Sequence, residues 1–295
     1  WAEIVIDHAR TLLDTVPVYE ARLLAGRAQG NYLAAVQTGL KVLHALGVDF
    51  PAQPTPAEIQ QALSTTHQLW AGQDPQSLLT LPAMTDSQQL AAMQIMTKLT
   101  APTYRALPAL MPLLMARQVE FSIRYGNCSI SIFSYAGYGM ALCSMGNIEA
   151  GYGFGQLALK LLEHLQATAC ESRAGYLVYN FISHWKEPLR RTLPAFVKAY
   201  QSGLATGDLE CVVLNAQAYC HYAYFAGQPL ADLATEMVAY RQTLRQLKQV
   251  SLKCLEIVQQ AVLNMLGEGQ TPWQLTGAVY DAEASVQFHQ EHGDR

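Results

Sequence analysis

The stretch Tyr135-Ala136-Gly137-Tyr138-Gly139-Met140-Ala141-Leu142-Cys143-Ser144-Met145-Gly146-Asn147-Ile148-Glu149-Ala150-Gly151 decides the fold. Large residues stand at Tyr135, Tyr138 and Leu142, and small ones at Gly139, Gly151 and Ala158. That spacing suits two helices in close approach. Gly146 stops the first helix, because glycine takes the left-handed C′ conformation without a Cβ clash. Asn147 is then expected to cap the second by accepting a backbone N–H bond. The stretch therefore reads as a helical hairpin, with Gly139 and Gly151 at the close contact.

The same punctuation recurs. Gly30-Asn31-Tyr32, Gly207-Asp208-Leu209 and Gly227-Gln228-Pro229 each order a glycine, a polar residue and an anchor as a helix stop and start. Between the turns, apolar residues keep helical spacing. Leu33, Val36, Leu40 and Leu43 make one stripe; Leu209, Val213, Ala216, Cys220 and Ala223 make another; Cys254, Val258, Ala261 and Met265 make a third. No stretch shows sustained strand alternation. The fold class expected is all-α, with helices over 2–13, 18–29, 31–46, 56–72, 86–99, 107–124, 127–145, 147–165, 168–185, 189–204, 208–226, 229–246 and 249–267. Pro82, Pro188, Pro194 and Pro229 are placed at helix starts or just before them, where a missing N–H costs little. Stacked hairpins of this kind give an irregular α-solenoid, a tetratricopeptide-like superhelix, over 1–267, with a generic all-α bundle as the competing reading. The loop marked by Pro51, Pro54 and Pro56 suggests a subdivision near 48–85. Residues 268–295 read as a tail that frays or leads into a following domain.

Composition narrows the function. Hydrophobic residues make up 51% of the 295 and charged residues only 14%, against roughly 25% charged in typical soluble proteins. Parts of the surface are thus expected beneath partners. The net charge of −4 and the lack of any basic run beyond Arg190-Arg191 argue against nucleic acid, which needs clustered cations. The longest strongly apolar stretch, 107–116, contains two prolines and is too short for a membrane span. Six cysteines without a C-x-x-C pair read as reduced, buried residues of a cytoplasmic protein. Opening at Trp1 without Met, the chain reads as a piece of a longer protein.

Motifs for chemistry are weak. Gly151-Tyr152-Gly153-Phe154-Gly155 looks like a phosphate loop but lacks a preceding strand and a Lys-Ser/Thr end. It reads as a flat helix face. Cys211 and Cys220 lie nine residues apart, about 180° around a helix, so no metal site is expected. His184 in His184-Trp185-Lys186-Glu187-Pro188 could act as a base. No nucleophile or carboxylate stands at a motif spacing from it, however, and a base needs an orienting partner. The alternative is a helix end with Trp185 packed in the core. No catalytic residue and no cofactor are therefore assigned.

Fifteen tyrosines are more informative. Tyr135, Tyr138, Tyr176, Tyr179, Tyr219 and Tyr222 fall on successive helices, with Asn127, Asn180 and Asn215 nearby. A groove of Tyr and Asn would suit a peptide, since Tyr offers area with few rotors and Asn bonds backbone amides. Equally, such tyrosines fill gaps between helices with a polar tip at the edge. Both readings stand at this point.

Four segments together resemble one family. They are Val36-Gln37-Thr38-Gly39-Leu40 through Leu46-Gly47-Val48, then Gly151 to Leu159, His184-Trp185-Lys186-Glu187-Pro188-Leu189, and Gly203-Leu204-Ala205-Thr206-Gly207-Asp208-Leu209-Glu210. The chain looks like the helical region of very large cyanobacterial signalling proteins. In those, a Ser/Thr protein kinase domain and an AAA-type ATPase module precede this region, and a GAF domain and a sensor histidine kinase follow it. The resemblance implies a non-catalytic segment that binds a partner protein, a peptide or a neighbouring domain and biases kinase or ATPase output. An independent helical enzyme using His184, and a module that makes a homodimer, are the alternatives.

Overall fold

In the computed structural model, residues 2–247, 252–269 and 271–286 are described. They form helices α1 (Ala2–His8), α2 (Leu12–Ala28), α3 (Tyr32–Ala45), α4 (Pro56–Trp70), α5 (Ser87–Ala106), α6 (Met111–Tyr125), α7 (Ser129–Ser144) and α8 (Ile148–His164), followed by α9 (Glu171–Phe181), α10 (Leu189–Thr206), α11 (Leu209–Phe225), α12 (Leu230–Gln246) and α13 (Leu252–Met265). Among the described residues, β contacts are limited to two isolated bridges, Ala83–Asn127 and Thr276–Asp281. The all-α class is as expected. The chain divides into two compact units, Trp1–Ala167 and Thr168–Arg295. That division is not near 48–85, a stretch that lies inside the first unit.

Local chemistry sets the helix ends. Thr11 and Asp14 form a reciprocal capping box, as do Thr55 and Glu58 with Pro56 in the first turn. The first box starts α2 at Leu12, so the break falls at 9–11 rather than at the expected 14–17, and Pro17 lies inside the helix. Pro194 likewise lies inside α10 and not at its start. Also expected to end earlier, α5 runs through Pro102 to Ala106.

Within the first unit, α2–α3, α6–α7 and α7–α8 pack as sequence neighbours, whereas α5 packs on α3 and α2, and α4 packs on α6. The core gathers Leu43, Met93, Ile95, Met96, Leu99, Leu110 and Leu114. The first unit also holds an aromatic group: Phe154 lies edge-on to Tyr138 at 4.9 Å and to Trp70 at 5.1 Å. The deciding hairpin forms as read, with one difference. Gly146 is left-handed at φ +85°. The Asn147 side chain makes no cap; instead its backbone N–H donates to Leu142 O at 2.9 Å, closing a Schellman turn. At Gly151 a Cβ would lie 2.7 Å from Gly139 O and 2.9 Å from Cys143 N. Gly155 is buried on the same helix, so 151–155 is a packing face and not a phosphate loop.

In the second unit, α9–α10–α11 pack in succession, and α13 packs on α12 and α11. Their core holds Val212, Val213, Ala216, Cys220, Leu233, Met237, Leu255 and Val262. Gly207 is left-handed at φ +78°, and Asp208 caps α11 by accepting from Cys211 N. The tail differs from expectation. Its described part, 271–286, docks on α13 with Tyr280 buried, and 287–295 fall outside the described residues. Cysteine burial is also only partly as expected. Cys143, Cys211 and Cys220 are buried, Cys128 and Cys170 are half-buried, and Cys254 is exposed.

Candidate functional site

Four of the residues expected in a groove are interior. Tyr135 and Tyr138 are fully buried, as is Asn215, and Asn127 is buried too. Their work is structural. Asn127 Nδ2 donates to Leu78 O (2.8 Å), its Oδ1 accepts from the Tyr135 hydroxyl (2.8 Å), and its backbone pairs with Pro82 O and Met84 N. The group clamps the 78–84 loop to the start of α7. Tyr138 meets no partner at hydrogen-bond geometry and neither does Trp70 Nε1. Burial raises the Tyr138 pKa, with the Trp70 indole opposing the shift. Asn215 Nδ2 donates to the Ser172 and Cys211 carbonyls and to Ser172 Oγ, tying α11 to α9. A helical pattern places such residues on a face but cannot say that the face is covered.

Tyr219 and Tyr179 also point elsewhere. Tyr219 donates to Glu236 Oε2 at 2.7 Å and packs on Tyr240, so it belongs to the α11–α12 contact. Tyr179 packs edge-on to Phe196 of α10.

Tyr176, Asn180 and Tyr222 do come together. They line a cleft of about 380 Å³ between α9 and α11 in the second unit. Tyr176 and Asn180 stand one turn apart on α9. From α11 come Leu214, Gln217, Ala218, His221, Tyr222 and Phe225, at intervals that keep one helix face. No Asp, Glu, Lys or Arg lines it. Phe225 is 70% exposed at its mouth. His221 Nδ1 bonds Gln217 O at 2.8 Å, which leaves Nε2 as the acceptor of the neutral ring. The Asn180 amide has no protein partner among the described residues. Leu214, Gln217, His221 and Phe225 were missed in the sequence; their spacing of three and four on α11 was the available signal.

His184 sits behind this cleft. α9 ends at Phe181, so Asn180 O belongs to the last turn, whose carbonyls have no helical partner. The Tyr222 hydroxyl donates to it at 2.6 Å and lies 3.2 Å from His184 Nδ1. Burial lowers the His184 pKa, opposed by its hydrogen bond to the Asn180 carbonyl. Burial thus favours the neutral imidazole, whose Nδ1 faces these oxygens. Burial also pushes the Tyr222 phenol up to about 12. His184 thus contacts a phenol that keeps its proton, with no acid or thiol in its hydrogen bonds. Trp185 does not pack in the core as expected. It is 50% exposed, with its ring 5.3 Å from that of His184, because the Ser183–Trp185 turn rotates it outward while Ile182 and Ser183 take the buried positions.

Another cleft, about 310 Å³ beside α4 and α6, is charged but self-satisfied. Asp49 pairs with His44, Glu58 caps its own helix, and Glu120 holds both Arg117 and Arg124. Among the described residues no cluster of three or more His, Cys, Asp or Glu could hold a metal ion, and no helix is long and apolar enough to cross a membrane. Compared with known proteins, the chain matches no protein-family profile, no curated protein and no solved structure.

Proposed function

We propose that this chain is a non-catalytic binding segment, and that the α9–α11 cleft of its second unit takes a short uncharged stretch of a partner protein or of a neighbouring domain. One observation carries the reading: an open cleft lined by aromatic rings and carboxamides, without charge. Rings supply contact area at low entropic cost, and an amide such as that of Asn180 pairs with a peptide backbone. Its volume of about 380 Å³ lies at the small end of the range for ligand clefts, which suits a short stretch of side chains. A catalytic reading would rest on His184, whose hydrogen bonds reach a high-pKa phenol and a carbonyl, neither of which serves as nucleophile or acid. By the resemblance, occupancy would bias a kinase or ATPase elsewhere in a longer protein, by favouring the state that binds the ligand better.

The test is selection of peptides from a random library on the full chain, followed by titration into Phe225→Ala and Asn180→Ala variants. Enriched peptides should bind the parent and lose at least about 10-fold on each variant. Peptides indifferent to both substitutions would place recognition elsewhere. Steady turnover of ATP by the purified chain, free of contaminating kinase, would sink the non-catalytic reading.

A further inference from the structure

A helix face that stays covered gains most from apolar side chains, which leave water favourably. The face of α13 that meets residues 271–286 is built otherwise. Gln260 and Asn264 are both buried carboxamides there, and their hydrogen bonds run in series. Gln260 Oε1 accepts the backbone N–H groups of Val279 (3.0 Å) and Tyr280 (3.2 Å). Gln260 Nε2 donates to Asn264 Oδ1 at 2.9 Å, and Asn264 Nδ2 donates to Gln274 O. Each amide is fixed in orientation, since a flip would set donor against donor.

The segment presents a tight turn to these amides. Gly277 N–H donates to Tyr280 O (2.9 Å), Ala282 N–H donates to Leu275 O (2.8 Å), and Thr276 and Asp281 form a bridge. Glycines occupy the two closest approaches. A Cβ on Gly277 would collide with the Gln260 amide, and one on Gly269 with that of Asn264. Of the side chains in the 271–286 arm, Tyr280 and Ser285 are buried. Within 274–280 only Tyr280 is buried, and neighbouring Trp273 is 80% exposed. Recognition runs through main-chain groups, and the amides that perform it exchange their bonds for water at small net loss when bared.

We propose that Gln260 and Asn264 form a turn-binding site on α13, that the 271–286 arm occupies it in cis and releases it, and that the freed site takes the same glycine-containing turn in trans. This site is separate from the α9–α11 cleft and does not rest on its function.

A labelled synthetic peptide of residues 271–286 tests it, titrated into the full chain, into Gly277→Leu, and into Gly277→Leu with Gln260→Ala. The first substitution drives a side chain into the Gln260 amide and weakens the seating of the arm, so this variant should bind the peptide at least about 10-fold more tightly than the parent, whose own arm competes. Adding Gln260→Ala should abolish binding. Should Gly277→Leu fail to fold, Val279→Pro, which removes one of the two N–H donors, serves as the acceptor chain. In the parent, the Val279 and Tyr280 amides should exchange with solvent at least about 10-fold faster than those of the α13 interior. No binding to a folded variant, binding indifferent to Gln260→Ala, or exchange of these amides only on global unfolding would each overturn the proposal.

Discussion

Replacing Gly151 by alanine isolates the contact on which the hairpin depends. Helix propensity alone favours the change by about 1 kcal/mol. The added Cβ, however, would lie 2.7 Å from Gly139 O and 2.9 Å from Cys143 N, besides colliding with Cys143 Sγ. An ordinary carbon contact needs about 3.5 Å, so α7 and α8 must separate by roughly 0.6–0.8 Å. Two of the obstacles are backbone and cannot rotate away. Overpacking of this kind costs about 1–3 kcal/mol; with two rigid backbone obstacles the upper part of that range, about 2–3 kcal/mol, applies, so the net loss should be about 1–2 kcal/mol after the propensity gain of about 1 kcal/mol. For a unit of this size that lowers Tm by roughly 2–8 °C. Gly153, two residues along the same helix, is the internal control. Its Cβ would meet only the Pro75 ring, at 3.3 Å, so Gly153→Ala should be near neutral. Thermal melting followed by circular dichroism compares the two with the parent. A Gly151→Ala chain that melts at or above the parent, or a Gly153→Ala chain that is the less stable of the pair, refutes the close-crossing argument.

Other outcomes follow from the buried polar groups. Asn127→Ala should cost about 2–4 kcal/mol by stranding Leu78 O and the Tyr135 hydroxyl in the interior, read by denaturant titration; a loss under about 0.5 kcal/mol would show the clamp is dispensable. His184, with its folded pKa below the unfolded value near 6.5, binds its proton more readily when unfolded. Its contribution is therefore present above about pH 6.5 and declines as pH falls toward the folded value. His184→Gln should flatten that part of the stability profile, and an unchanged slope would count against the assignment. Brief thiol labelling of the native chain should modify Cys254, which is exposed, before Cys211, whose thiol burial pushes up to about 12; peptide mapping that finds Cys211 labelled first would contradict the burial described.

The helices were legible because their signals are local. Gly146-Asn147, Gly207-Asp208 and the apolar stripes fix where the chain turns and which faces are sticky, and these depend on neighbours within about one helical turn. Gly139 and Gly151 were legible for the same reason: small residues at matching heights on adjacent helices announce a close crossing. What a stripe cannot encode is which other element covers it. Tyr135 and Tyr138 look like groove residues by spacing and become core because Phe154 and Trp70 close over them. Trp185, an obvious core candidate by hydrophobicity, is turned out by a short 3-10 turn that no periodicity announces. The α9–α11 cleft exists because residues about 35–50 positions apart in sequence line it together, and the seat for the 271–286 arm because Gln260 and Asn264 meet backbone from 10 to 20 residues further along the chain. The sequence determined the all-α class, most helix boundaries and the glycine crossing, each a matter of short-range backbone chemistry. Only the tertiary structure decided which tyrosines face a ligand and which fill the core, since burial depends on partners distant in sequence.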